Sequence, residues 1–269
     1  MISDAALVQR ALWGGDPEGW ARFAERHNRP LFEAVLDATG VGAGTRVLDV
    51  GCGTGLTLQL AAERGAAVAG VDITEGLLNV ARERLPAADL RVADMESLPF
   101  GDGAFDVVLG VNSFQFAGDP IRALAEAARV CRQGGAVAAS LFAAPERSES
   151  TAVHHALSAL SPPEQEAEHA PYALSEPGNL EAAMEAAGLT IEATGEVPLA
   201  WAYDSMDEAV RGLMSSAGAA RAIRSSGPVR VRAVLIEAMT RFQDPTAGAV
   251  TMNNTFRWVA ARRRSNAGA

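Results

Sequence analysis

Lysine is absent: all 23 basic residues of this 269-residue chain are arginines. That excludes a Walker-A phosphate loop, a pyridoxal Schiff base and a lysine nucleophile, each of which needs an amine side chain. Cysteine is almost absent too. Cys52 and Cys131 cannot build a disulfide framework, and neither lies in a CxxC or Cys/His cluster, so no structural zinc site is expected. No clustered set of histidines and carboxylates has ligand spacing, and no metal is expected. No apolar run approaches the roughly 18 to 20 residues that span a bilayer. The start, Met1-Ile2-Ser3-Asp4, has neither a basic nor an apolar leader region, so the expected compartment is the cytoplasm. Positive charge is scarce, with a net charge of −10, and Arg262-Arg263-Arg264 reads as a solvated tail. A nucleic-acid binder must neutralise phosphates, so nucleic acid is not an expected partner, and without a spanning apolar run neither is a membrane.

What is present is a soluble-protein composition, 48% hydrophobic and 21% charged, in a chain long enough for a full core. The first forty residues read as helices, with starts at Asp16-Pro17-Glu18 and Pro30 and a stop at Gly40. From Thr45 short apolar runs alternate with helices. Strands are expected over 46–50, 67–71, 90–93, 105–111 and 136–142, and helices over 56–64, 74–84 and 119–132, the last stopped by Gly134-Gly135. The polar stretch 145–175 reads as an insertion with a short helix over 153–160. A helix over 175–187 and a strand over 189–199 follow. A second insertion, 203–242, holds two helical patterns separated by Ser225-Ser226-Gly227-Pro228, and 249–261 is a long last strand. Alternation at this spacing indicates βαβ units and a parallel sheet.

The central motif is Val47-Leu48-Asp49-Val50-Gly51-Cys52-Gly53-Thr54-Gly55, which follows a strand and opens a helix. Its glycines let backbone turn tightly and approach a ligand closely. Asp72 ends the second strand, where a carboxylate can accept from both hydroxyls of a ribose. Asp94 and Met95 follow the third strand, where a carboxylate can meet an adenine amine and a backbone amide a ring nitrogen. Asn112 ends the fourth. All face the carboxyl edge of the sheet, where open α/β sheets bind ligands. A dinucleotide dehydrogenase shares the glycine turn and the acidic residue, but its GxGxxG differs from the GCGTG found here.

In order, VLDVGCGTG, GVDIT, ADMESLPF and FDVVLGVNSFQF resemble the four motifs of class I S-adenosylmethionine (SAM)-dependent methyltransferases. The likeness is to the small-molecule branch that includes the ubiquinone/menaquinone-biosynthesis type. It is strong over residues 45–142 and moderate over SEPGNLEAAMEAAGL. It implies that Asp49, Gly51, Gly53 and Gly55 surround the methionine portion of SAM. Asp72 would hold the ribose with Ile73 beside the adenine, Asp94 and Met95 the adenine edge, and Asn112 the methionine side. The expected fold is α/β: a Rossmann-like, seven-stranded, mostly parallel sheet with helices on both faces. A helical cap would come from the N-terminus and the insertions. One methyltransferase domain is expected over 1–269, its core formed by 41–144, 176–202 and 244–264. Cap elements are 1–40, 145–175 and 203–243.

The expected activity is methyl transfer from SAM, leaving S-adenosylhomocysteine (SAH), to an oxygen, nitrogen or carbon nucleophile of a small acceptor of secondary metabolism. The alternative is a SAM-binding protein without methyl transfer, a rearrangement catalyst or a sensor, because the motifs report binding and not turnover. The Asn/Asp-Pro-Pro-Tyr motif of amine methyltransferases is replaced by Asn112-Ser113-Phe114-Gln115-Phe116. Trp20, Tyr172 and Tyr203 are candidates for holding the acceptor, within cap segments that carry several aromatics. His27 and His154 are candidate general bases, since imidazole titrates near neutrality.

Overall fold

The computed structural model describes residues 2–161 and 173–264. Within them seven strands form one sheet: β1 (Arg46–Val50), β2 (Ala67–Asp72), β3 (Asp89–Val92), β4 (Phe105–Val111), β5 (Cys131–Phe142), β6 (Leu189–Tyr203) and β7 (Val250–Arg263). Their spatial order is β3-β2-β1-β4-β5-β7-β6. The first five pair in parallel. β7 runs antiparallel to both β5 and β6. Because β1 pairs with β2 on one side and β4 on the other, the winding reverses between β1 and β4. A crevice opens at the carboxyl ends of such strands, and this chain's glycine loop leaves β1 there.

The helices are α1 (Asp4–Trp13), α2 (Arg29–Ala38), α3 (Leu56–Glu63), α4 (Glu75–Arg84), α5 (Pro120–Val130), α6 (Thr151–Ser158), α7 (Asn179–Ala186), α8 (Met206–Met214), α9 (Ala217–Ser226) and α10 (Pro228–Met239). Both faces of the sheet are covered, which is why β1 and β4 read as continuous apolar runs. Leu48, Val50 and Val108 pack with Leu124 of α5 and with Leu180 and Met184 of α7. Val47, Val107 and Leu109 pack with Leu31 and Val35 of α2 and Leu60 of α3 on the other face.

Several boundaries differ from the sequence reading, each for a local reason. α5 starts as expected, Asp119 accepting the Arg122 amide at 3.0 Å. It ends at Val130, however, because Cys131 already pairs with Phe105 as the start of β5. Gly134-Gly135 therefore lies inside a strand irregularity, after which Val107 pairs with Ala136. α7 starts at Asn179 rather than Ser175, after Gly178 at φ +86°. β6 continues past Leu199 to Tyr203, bonded along its length to β7. The second insertion holds three helices, not two, because Ser216 accepts the Ala219 amide at 3.3 Å and starts α9 directly after α8.

α6 and the helices of that insertion share an apolar centre of their own. Val153 and Leu157 meet Val210, Leu213, Val231, Leu235 and Met239, together with Tyr203, Val250 and Met252 from the ends of β6 and β7. Between α1 and α2 the chain is irregular. Asp16 caps one turn at Pro17, a π turn covers Trp20–Ala24, and a 3-10 turn covers Glu25–Asn28. Among the described residues no helix is long and apolar enough to cross a membrane. No group of three or more His, Cys, Asp or Glu among them could hold a metal ion.

Candidate functional site

The loop after β1 takes its shape from glycine. Gly51 has φ +75°, and a Cβ there would stand 2.5 Å from the Cβ of Ser113, whose hydroxyl donates to the Val50 carbonyl. The amides of Gly51 and Cys52 both donate to the Val71 carbonyl, at 2.8 and 3.0 Å. Gly53 has φ +54° and nothing within 4 Å of a built Cβ, so this part of the loop faces open space. That space is a cavity of about 550 Å³. It runs from the loop, past the ends of β2, β3 and β4, to the aromatic side chains of the cap segments.

Carboxylates line the loop end. Asp49 is 2% exposed, and its Oδ1 has no hydrogen-bond partner. Burial, with the charge of Asp72 nearby, pushes the Asp49 carboxyl up to about 8, against a hydrogen bond from Thr57. Asp72 accepts from the amides of Gly53 at 2.9 Å and Thr74 at 2.8 Å. Burial raises it above the ordinary carboxylate range although those amides work the other way. Asp94 accepts from Glu96 N at 3.0 Å and from Ser3 N, at the start of α1, at 2.8 Å. Burial opposes its ionisation, yet the two amides prevail and its carboxyl lies below the ordinary range. Ile73 and Met95 complete this end. Asn112 also lines the cavity. It is the non-glycine residue with positive φ, +56°, among the described residues, and its amide is held by the Ser140 carbonyl at 3.0 Å. Strained backbone of this kind clusters at ligand sites.

Aromatic rings form the far end. Trp13 stands edge-on to Trp20 and to Phe116, with centroids 4.9 and 5.8 Å apart. On the sheet side Phe142 lies against Phe256 at 4.2 Å and meets Trp201 and His154 at 5.9 and 5.3 Å. Burial, with His155 beside it, pushes the His154 imidazole down to about 4, so the ring is neutral at physiological pH. Tyr203 lines the cavity as well, and burial raises its phenol.

Residues 48–139 match the sequence family described as Methyltransferase domain. Over that stretch the chain is similar to methyltransferase domains. An aligned stretch of 111 residues is 38% identical to demethylmenaquinone methyltransferase of Renibacterium salmoninarum, covering 41% of this chain and 47% of that protein. The chain spans about half the length of the curated relatives it matches. In fold it is similar to a geranyl diphosphate C-methyltransferase of Streptomyces coelicolor solved with SAH. That match has a TM-score of 0.58 at 16% identity, over 97% of this chain and 98% of that one. It is also similar to SpnF, a (4+2) cyclase, with a TM-score of 0.57 at 18% identity, over 97% of this chain and 93% of that one.

The fold brings Asp49, Gly51, Gly53, Asp72, Ile73, Asp94, Met95 and Asn112 to one cavity, together with Trp20, Tyr203 and His154. Two expected members stand outside it. Gly55, at φ +84°, packs α3 against α4, where a Cβ would lie 3.0 Å from that of Ala81. His27 does not line the cavity: Nε2 faces the Ala202 carbonyl at 2.8 Å and Nδ1 the Ala24 carbonyl at 3.2 Å. Both nitrogens face backbone oxygens, so the ring ties the N-terminal segment to β6 and turns neither nitrogen to the cavity. Tyr172 lies outside the described residues. Glu25, Ser3, Phe142 and Phe256 line the cavity without having been singled out. No motif marks them, since their place depends on how distant segments pack.

Proposed function

We propose that this protein binds SAM at the glycine-loop end of the cavity and methylates a small, flat, largely apolar acceptor held at its aromatic end. The observation that carries this is the continuity of one cavity with two chemistries. Asp49, Asp72 and Asp94 gather at one end, suited to a ligand bearing sulfonium and ammonium charges, and the open face above Gly53 leaves room for it. The unpartnered Asp49 Oδ1 is a buried acceptor, which costs about 1–3 kcal/mol unless a ligand donor reaches it. The second lone pairs of Asp72 suit ribose hydroxyls. When bound, SAM supplies an activated methyl group and leaves as SAH. The chain's own tasks are then to orient the nucleophile and exclude water.

The rings of Trp13, Trp20 and Phe116 on one side and Phe142, Trp201 and Phe256 on the other favour an aromatic guest, by stacking or edge contacts. His154, neutral at physiological pH, and Tyr203 line the cavity and are proposed as contacts to the guest's hydroxyl or amine. Tyr172 is proposed as a further acceptor contact. The compartment proposed is the cytoplasm and the partner a small molecule, not nucleic acid.

The fold likeness to a cyclase favours a second reading, in which SAM is bound and its methyl retained. Calorimetry with SAM, SAH and NAD tests the cofactor. Micromolar binding of SAM and SAH, with none of NAD, is expected, and binding of NAD alone sinks the reading. Incubation with methyl-labelled SAM and flat phenols, quinols and aryl amines then separates the two. Label in an acceptor supports transfer, and conversion of a guest with SAM intact supports the cyclase-like alternative.

A further inference from the structure

We propose that Glu25 is a positioning residue that holds the glycine loop in its ligand-binding shape from the cap side of the cavity. This rests on the reading of that loop as the cofactor site. Helix α3 has Gly55 at its N-cap, with no side-chain cap hydrogen bond of its own. The free amides of that first turn need an acceptor. Glu25 supplies it from 31 positions earlier in the chain, its Oε1 accepting from the Leu56 amide at 3.4 Å and from the Thr54 hydroxyl. Its other oxygen pairs with Arg84 of α4 at 2.5 Å, and Arg84 also donates to the Thr54 carbonyl at 3.0 Å.

One carboxylate thus grips the loop from its side chain, its following amide and, through Arg84, its carbonyl. Thr54 is fully buried and the Glu25 side chain is 5% exposed, so water does not weaken these bonds as it does a surface pair. A negative charge at the start of a helix is also favourable in itself. The route by which Glu25 arrives is unusual. The π turn over Trp20–Ala24 and the 3-10 turn after it break the regular helical repeat, and the same segment presents Trp20 and Asn28 to the cavity. Glu25 therefore joins the wall of the acceptor end to the loop of the cofactor end. A plain structural ion pair would need neither the cavity nor the loop's hydroxyl.

The probe is SAH, titrated by calorimetry into the full chain, with melting temperature measured alongside. Glu25→Gln keeps the shape and removes the charge. Thr54→Val keeps the shape and removes the hydroxyl, whereas Thr54→Ser keeps the hydroxyl and loses a methyl. Glu25→Gln and Thr54→Val should each weaken SAH binding about tenfold or more, the scale of a lost hydrogen bond to a charged group. The double variant should bind about as weakly as the worse single one, and Thr54→Ser should bind like wild type. Arg29→Ala, which breaks an exposed pair with Glu33, should leave the affinity unchanged. If wild type binds SAH and Thr54→Val binds it equally well, the positioning role is wrong. A melting loss in Thr54→Ser equal to that in Thr54→Val, with affinity unmoved in both, equally assigns the cluster to packing alone. If wild type binds neither SAM nor SAH, the cofactor reading itself falls, and this proposal with it.

Discussion

Asp72 accepts the backbone amide of Gly53 at 2.9 Å, so the last residue of β2 holds the middle of the loop that leaves β1. The contact spans 19 residues of sequence and unites the two parts of the motif series that mark the site. It also sets the first prediction. Asp72→Ala removes both the hold on the loop and a carboxylate facing the cavity. SAM affinity should fall by about 1–3 kcal/mol, the range for losing hydrogen bonds to a charged group. Calorimetry decides this, and an unchanged affinity contradicts the role given to the carboxylate.

Gly53 and Gly55 should separate ligand binding from folding. A side chain at Gly53 enters open cavity, so Gly53→Val should abolish SAH binding while circular dichroism stays near wild type. Positive φ still costs it about 1–2 kcal/mol of stability. At Gly55 the same φ penalty is joined by a 3.0 Å approach to Ala81. Gly55→Val should therefore lose several degrees more in melting temperature than Gly53→Val. Equal melting losses in the two variants contradict this division of roles.

The pH dependence of stability should carry a signature of Asp49. Its carboxyl titrates near 8 in the folded chain and near 3.8 when unfolded. Between those values the folded state keeps a proton that the unfolded state has lost. The stability contribution is thus full below the unfolded pKa, declines as pH rises and is lost by the folded pKa. Asp49→Asn has no such proton, so the melting temperature of wild type relative to this variant should drop steadily across that window. A constant difference would show that Asp49 is ionised in the ligand-free fold.

His154 should act with the opposite slope. It titrates near 4 when folded and near 6.5 when unfolded, so its contribution is present above the unfolded value and is lost as pH falls through the folded one. His154→Phe should be less acid-sensitive than wild type between those limits, read as melting temperature against pH. Identical acid profiles would mean that the ring is charged in place.

Much of the carboxylate-lined end of the cavity was legible because its residues lie within a few positions of strand ends. Asp49, Asp72, Asp94 and Asn112 occur at β1, β2, β3 and β4 in chain order, and a parallel sheet brings its carboxyl ends together whatever the loops do. The aromatic end had no such regularity. His27 and His154 were equal candidates as residue types, and packing alone separated them: one lies between two backbone carbonyls, the other in the cavity wall. The helix count of the second insertion was missed for a related reason. Ser216 caps α9 immediately after α8, so the apolar periodicity runs on across the break.

The amino-acid sequence by itself determined the order of strands and helices, the glycine turn and the acidic residues beside it, because periodicity and turn chemistry act over a few neighbouring residues. Tertiary structure alone decided that Glu25 caps α3, that the Ser3 amide occupies Asp94, and that Phe142 and Trp201 share a wall. Those contacts join residues roughly 30 to 90 positions apart. Their free energy comes from burial and charge pairing between segments that carry no fixed spacing, and only the folded chain brings them into register.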